Sequence, residues 1–264
     1  MSEPSFEALR LERIDSVLRV TIDHPRSPLN TVDETLHAEL TRLFAQLRDE
    51  TQARAVVLTG RGKAFSAGGD FAWFPHLRES GPLEALRRDA KRLIWDLLDV
   101  EIPIVAAVNG PAVGLGASIA LFCDAVFMAD TATVSDPHVR VGLVAGDGGA
   151  VIWPLALGPA RAKRYLLTGD ALTAAEAERC GLATHVVPAG ALQDEALAFA
   201  KRLAEGAPLA IRYTKMSVNK LLKDALNVAF DASAALELVT FRSHDHAEAV
   251  TAIKEKRKPR FEGR

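Results

Sequence analysis

The 264-residue chain has only two cysteines, Cys123 and Cys180, too few for a disulfide framework or a cysteine-based zinc site. It also has little excess of either charge. Thirty-two Lys plus Arg stand against 34 Asp plus Glu, a formal net charge of −2, so no global field recruits nucleic acid or an anionic membrane. Any anionic ligand must be held by local groups. The start, MSEPSFEALR, lacks the basic-then-apolar pattern of a secretory leader, and a cytoplasmic protein is expected. An uninterrupted apolar run is missing too. The nearly uncharged stretch from Ile102 to Met128 is cut by Pro103, Asn109, Gly110, Pro111, Gly114, Gly116 and Asp124 into short buried elements. With 48% apolar and 25% charged residues, the composition excludes disordered and fibrous classes and fits one main globular core.

What is present is an alternation of strands, loops and helices. Leu18, Val20 and Ile22 alternate with Arg19 and Thr21, the signature of a half-buried strand, and Leu9–Ile14 before Asp15-Ser16 is its hairpin partner. Thr31 with Glu34 predicts a capping box, followed by Leu36, Leu40, Leu43 and Leu47 at helical spacing. Ala55–Leu58, Ile104–Val108 and Ala125–Met128 are compact apolar runs suited to strands buried on both faces. Pro82 at a first helical position opens a helix with Leu83, Leu86, Ala90, Leu93, Ile94 and Leu97 on one stripe. After Val134 helical signals dominate: Gly158-Pro159 starts one helix, Thr173 with Glu176 caps another that Gly181 ends, and Val186-Val187 is a last short strand. Beyond Gly190 the chain predicts helices around Leu192–Leu203, Leu209–Leu222, Ala225–Phe241 and Asp245–Lys258, then a basic tail. No short-period repeat and no low-complexity segment interrupts this order.

Two glycine-bearing loops carry the chemistry. Ala64–Asp70 and Asn109–Gly116 each follow a buried strand and leave backbone N–H groups at its end. Paired loops of this kind aim two donors at one developing oxyanion, although two tight turns would have the same glycine content. Neither loop matches a phosphate-binding signature, since no Gly-Lys-Ser/Thr follows and no GxGxxG opens a first helix.

The strings KAFSAGGD, IPIVAAVNGPAVGLGASIALFCD, SDPHVRVGLVAGDGGAVIWPLALG with YLLTGDALTAAEAERCGLATHVV, and EAVTAIKEKRKPRF resemble, in this order, the enoyl-CoA hydratase/isomerase superfamily, the crotonases. The resemblance covers nearly the whole chain. It implies an α/β fold, a spiral of ββα units over residues 1–190 that carries an acyl-CoA site. A helical region over residues 191–264 then builds a homotrimer or a dimer of trimers. It implies an oxyanion hole from the N–H groups of Gly69 and Leu115; the second position is usually glycine, but a backbone donor survives leucine where no positive φ is required. The resemblance also implies coenzyme A contacts at Arg26 and Lys256 for the phosphates, and at Ala67, Asp70 and Phe71 for the adenine end. No cofactor beyond the coenzyme A of the substrate, and no metal, is expected.

The acid–base positions depart from the family pattern. The two glutamates of family hydratases are replaced by Ser118 and His138. His138 is a competent general base at neutral pH, and Asp147, nine residues on, either orients it or caps the next helix. This pair resembles a crotonase branch that hydrolyses the carbon–carbon bond of cyclic β-diketones. Three readings follow: enoyl-CoA hydration or isomerisation through His138, hydrolysis of a β-dicarbonyl or thioester by His138 and Asp147, or a silent acyl-CoA-binding subunit. Ser118, Asp70 and Asp124 also have plain structural uses in packing, capping and backbone satisfaction. His24 is expected in a turn and His244-Asp245-His246 at a helix cap, while Phe71, Trp73 and Phe74 either line an acyl pocket or pack in the core.

Overall fold

Period-two and fully apolar segments become strands where the sequence predicts them. In a computed structural model that describes residues 5–78 and 80–264, β1 (Leu9–Ile14) and β2 (Val17–Ile22) form an antiparallel hairpin whose turn residue Asp15 has φ 54°. β3 (Ala55–Gly60), β4 (Ile104–Val108) and β6 (Ala125–Ala129) are buried at every residue, as parallel strands covered on both faces must be. With β9 (His185–Val187) they complete a six-stranded sheet of order β1-β2-β3-β4-β6-β9, parallel from β2 onward. A second sheet of three short strands, β5 (Ala112–Val113), β7 (Thr133–Ser135) and β8 (Leu172–Thr173), has no counterpart in the sequence reading, because two or three residues give too short a window for periodicity.

Helices follow the strands and close the layers. α1 (Glu34–Leu47) buries Leu36, Leu40, Leu43 and Leu47, and α2 (Ser80–Asp99) buries Leu83, Leu93, Ile94 and Leu97. α3 (Leu115–Phe122) is buried almost throughout, and α4 (Gly149–Leu157) and α5 (Pro159–Thr168) pack on each other. The capping box Thr173–Glu176 is present on α6 (Ala174–Cys180), with Gly181 at its left-handed C-terminus. α7 (Leu192–Glu205) lies against β2, β3, β4 and β6, while α8 (Pro208–Phe241) reaches α2 and α4, and α9 (His244–Lys254) ends the helical run.

Several local expectations are corrected. The capping box at Thr31 does not form: Asp33 is the N-cap of α1 and accepts from Leu36 N–H, while Thr31 bonds to Ser27. α2 begins at Ser80, two residues before the expected Pro82, which still falls in the first turn, where a missing N–H removes no helical bond. The two helices expected over 209–222 and 225–241 are one 34-residue helix, since the charged Lys223-Asp224 pair breaks no helical geometry. The last helix is capped by Ser243 and stops at Lys254. Asp245 instead accepts from Glu262 and Gly263 N–H, and His246 is buried with Nδ1 2.8 Å from the Val141 carbonyl. No helix among the described residues is long and apolar enough to cross a membrane.

Candidate active site

The two glycine-bearing loops meet. Ser66 N–H donates to the Pro111 carbonyl and Val113 N–H to the Ser66 carbonyl, which stitches Ala64–Asp70 to the start of α3. Gly116 allows this approach, because a Cβ there would stand 2.7 Å from Ser66 Cβ. The left-handed residue of the second turn is Gly114, φ 54°, so Leu115 escapes positive φ and the leucine is tolerated. The amides around the two key positions are engaged, Asp70 N–H to Val32 and Gly114 N–H to Ser135. Those of Gly69 and Leu115 donate to no acceptor among the described residues, and both residues line one narrow cavity of about 70 Å³.

His138 stands beside these amides. It opens a 3-10 turn after Asp136-Pro137, and its Cε1 is 3.3 Å from where a Gly114 Cβ would be. Its Nδ1 is 2.5 Å from Asp136 Oδ1, and its Nε2 is 3.5 Å from Asp147 Oδ2 and 3.8 Å from Glu237 Oε1. Ser118, fully buried on α3, donates its Oγ hydrogen to Asp147 Oδ1 at 3.1 Å. His138 and Asp147, paired in the sequence, are thus brought together, and Ser118, for which packing was the plainer expectation, joins them through Asp147. Asp147 is not the N-cap of α4: that position is Gly148, without side-chain capping, and the carboxylate turns to Ser118 and His138.

Two members of this cluster went unassigned in the sequence. Asp136 sits in the SDP string, with a side chain wholly shielded from solvent, and Gly149 permits its approach, since a Cβ there would lie 2.0 Å from Asp136 Oδ2. Glu237 comes from α8, far along the chain, and crosses into the site because Gly146 has no side chain; a Cβ there would lie 2.4 Å from Glu237 Oε2. Gly146 and Gly149, on either side of Asp147 at a predicted helix start, are the available signal in the sequence. His37 on α1 also lines the cavity, and periodicity marks it merely as a polar residue on a buried face.

Burial and charge set the protonation of the cluster. Burial alone would lower the His138 pKa, but Asp136, Asp147 and Glu237 outweigh it and hold the imidazole well above its ordinary value. Burial, with Asp136, raises Asp147 against the opposing His138 charge and the Ser118 bond. Glu237 is pushed up to about 8 by burial and by the negative charge of Asp147 and Asp136, opposed by His138. At neutral pH the site therefore holds an imidazolium and a neutral Glu237, with Asp147 more basic than an ordinary aspartate.

Asp136, His138 and Asp147 each present one donor atom within 4.8 Å of the others, a spacing a single cation would accept. The Nδ1 of His138 is instead taken by Asp136, and Asp147 Oδ1 by Ser118.

The expected coenzyme A residues lie apart from this cluster. Arg26 pairs with Glu7 at 2.7 Å and Asp33 at 3.0 Å, and His24, in its turn, accepts from Arg26 N–H. Ala67 N–H is used by the Leu29 carbonyl, and Asp70 caps its own loop by accepting from Ala72 N–H. Phe71 is exposed and edges Phe74, while Trp73 and Phe74 line the cavity. Lys256 is exposed, in a left-handed conformation at φ 54°. Asp124 accepts from Ile104 N–H and pairs with Lys215, the structural use expected for it.

Residues 12–264 match the sequence profile of the family described as enoyl-CoA hydratase/isomerase. A probable enoyl-CoA hydratase from Mycobacterium bovis is 34% identical over 257 residues, covering 97% of this chain and 98% of the relative. Among solved structures, an enoyl-CoA hydratase/isomerase from Mycobacterium paratuberculosis superposes with a TM-score of 0.88 at 40% identity, over 95% of this chain and 99% of that one. A β-diketone hydrolase from the cyanobacterium Anabaena, bound to (S)-3-oxocyclohexyl acetic acid, superposes with a TM-score of 0.85 at 30% identity, over 92% and 98% of the two chains.

Proposed function

Because the chain belongs to the enoyl-CoA hydratase/isomerase family, we propose that it uses the Gly69 and Leu115 amides as an oxyanion hole and the His138 cluster as its acid and base, and that its reaction is hydrolytic cleavage of a β-dicarbonyl carbon–carbon bond. The observation that carries this reading is the half-buried His138 held between Asp136 and Asp147 beside two amides without an acceptor among the described residues, where family hydratases have two glutamates. Water placed against Asp147 loses a proton to that carboxylate while its oxygen attacks one carbonyl. The resulting oxyanion accepts from both amides, each contributing on the order of 3 kcal/mol in the transition state.

Collapse of that intermediate breaks the bond to the neighbouring carbon, and the electron pair leaves as the enolate of the second carbonyl. The carbon takes its proton from His138 Nε2, and the proton on Asp147 restores the imidazolium. Water has then been added across the broken bond, which gives a carboxylic acid and a ketone, or one keto acid from a cyclic diketone. The imidazolium is held by Asp136 and Asp147, and the neutral Glu237 adds no further negative charge beside the departing enolate. No metal enters these steps.

The names of the relatives favour a second reading, in which the same oxyanion hole stabilises a thioester enolate and His138 moves a proton on an enoyl-CoA. In that case Arg26 and Lys256 hold the coenzyme A phosphates, and Arg26 must first leave Glu7 and Asp33. The exposed apolar residues Leu221, Val228 and Val239 on α8 support self-association through the C-terminal helices.

Incubation with 2,2-dimethylcyclohexane-1,3-dione and, separately, with crotonyl-CoA distinguishes these readings. Appearance of the keto acid by proton NMR, lost in His138→Ala, is the expected result. Turnover of crotonyl-CoA with an untouched dione overturns the hydrolase, and calorimetric acyl-CoA binding without any product returns the silent-subunit reading.

A further inference from the structure

We propose that His37 is a substrate-binding residue of this site, donating an Nε2 hydrogen bond to the second carbonyl of the β-dicarbonyl, the one outside the oxyanion hole. The inference rests on the hydrolase reading and narrows its substrate class to molecules that present two hydrogen-bond acceptors in a 1,3 relation.

His37 lies in the first turns of α1 and is 5% exposed. Its Nε2 is buried with no hydrogen-bond partner among the described residues. A buried polar nitrogen left in this state costs about 1–3 kcal/mol, which a leucine or phenylalanine on the same helical face would avoid. The ring borders the cavity that also contains Gly69, Leu115, His138 and Asp147, and the neighbouring walls are Trp73, Phe74 and other apolar residues that offer it nothing. The unmet nitrogen therefore belongs to the site's polar set. Its position is fixed relative to the oxyanion amides by short connections. Val32 bridges Gly69, Asp33 caps α1, and His37 N–H donates to the Asp33 carbonyl.

The chemistry of the ring suits a second carbonyl. Burial pushes the His37 pKa down to about 4, against a weaker pull from Asp89, so the imidazole is uncharged at neutral pH and carries one ring proton. His138, across the cavity, is charged and serves as proton donor. A neutral donor binds a ketone oxygen, and that bond strengthens as the carbon–carbon bond breaks and charge gathers on the oxygen. An enoyl thioester has one carbonyl, which the Gly69 and Leu115 amides take, and it leaves His37 unmet.

The test compares the wild type with His37→Phe, which keeps ring bulk, and His37→Gln, which keeps a donor. Readouts are hydrolysis of 2,2-dimethylcyclohexane-1,3-dione and calorimetric binding of that dione against cyclohexanone. His37→Phe is expected to lower kcat/KM for the dione at least tenfold and to erase the preference for dione over monoketone, with His37→Gln recovering part of both. In nitrogen-15-labelled wild type, addition of the dione should move one neutral histidine Nε2 resonance, a readout independent of whether a variant folds. Wild-type-like kinetics and binding in His37→Phe, or an unmoved resonance, overturns the role of His37 while hydrolysis by the wild type keeps the reaction standing. A His37-dependent preference for the dione without cleavage overturns the reaction and leaves the binding role. Neither binding nor cleavage of the dione by the wild type overturns both.

Discussion

Replacing Glu237 by glutamine tests the electrostatics of the buried cluster directly. In the fold this carboxyl keeps its proton to about pH 8, against 4.5 for the unperturbed group. Between those values the folded state binds a proton that the unfolded chain has released, so stability falls as pH rises, by about 1.4 kcal/mol per unit. The accumulated loss is on the order of 3 kcal/mol at pH 7 and about 5 kcal/mol by pH 9, where Glu237 is ionised in both states. Glutamine has the same shape and does not titrate. Gly146 already leaves space for the side chain, so no new clash arises. Glu237→Gln should match the wild type within about 1 kcal/mol at pH 5 and exceed it by roughly 3 kcal/mol at pH 7 and more at pH 9. Urea unfolding followed by tryptophan fluorescence at the three pH values, at one protein concentration, gives the differences. A stability difference that does not vary with pH, or a variant weaker than the wild type at pH 9, refutes the reasoning.

Four further outcomes follow from the same geometry. His138→Ala should lower kcat of the natural reaction by roughly 10²–10⁴-fold, measured under saturating substrate. Ser118→Ala removes the hydroxyl donor to a buried carboxylate and should destabilise the fold by about 1–3 kcal/mol in urea titration, while Ser118→Thr should be less harmful if the hydroxyl is what matters. Because the folded-state pKa of His138 is raised, the stability its ion pairs contribute is fully present below its unfolded value and lost as pH rises through the folded one. Thermal unfolding should therefore show an alkaline loss that His138→Ala lacks. Prolonged chelation followed by activity measurement should leave turnover unchanged; a loss restored by a divalent cation would instead assign Asp136, His138 and Asp147 as its ligands.

The sequence by itself determined the strands of the six-stranded sheet and most helices, because these depend on residues close together in the chain, while the Gly69 and Leu115 amides were singled out only through the family resemblance. Three fully buried strands that neighbour one another in the sheet announce themselves by unbroken apolar runs. His138 with Asp147 was legible for the same reason, as a pair in one loop. Periodicity could not separate one long α8 from two shorter helices, since no residue in the 222–225 stretch breaks a helix.

Only the tertiary structure decided what surrounds His138. Asp136 bonds the imidazole from one side, Glu237 arrives from the C-terminal helix, and His37 comes from the first helix. No spacing rule joins residues so distant, and glycines at 114, 146 and 149 mark the contact only once the partner is known. Protonation was equally out of reach. A histidine and a glutamate have ordinary pKa values in the unfolded chain, and it is removal from water beside one another's charges that leaves the first charged and the second neutral at pH 7.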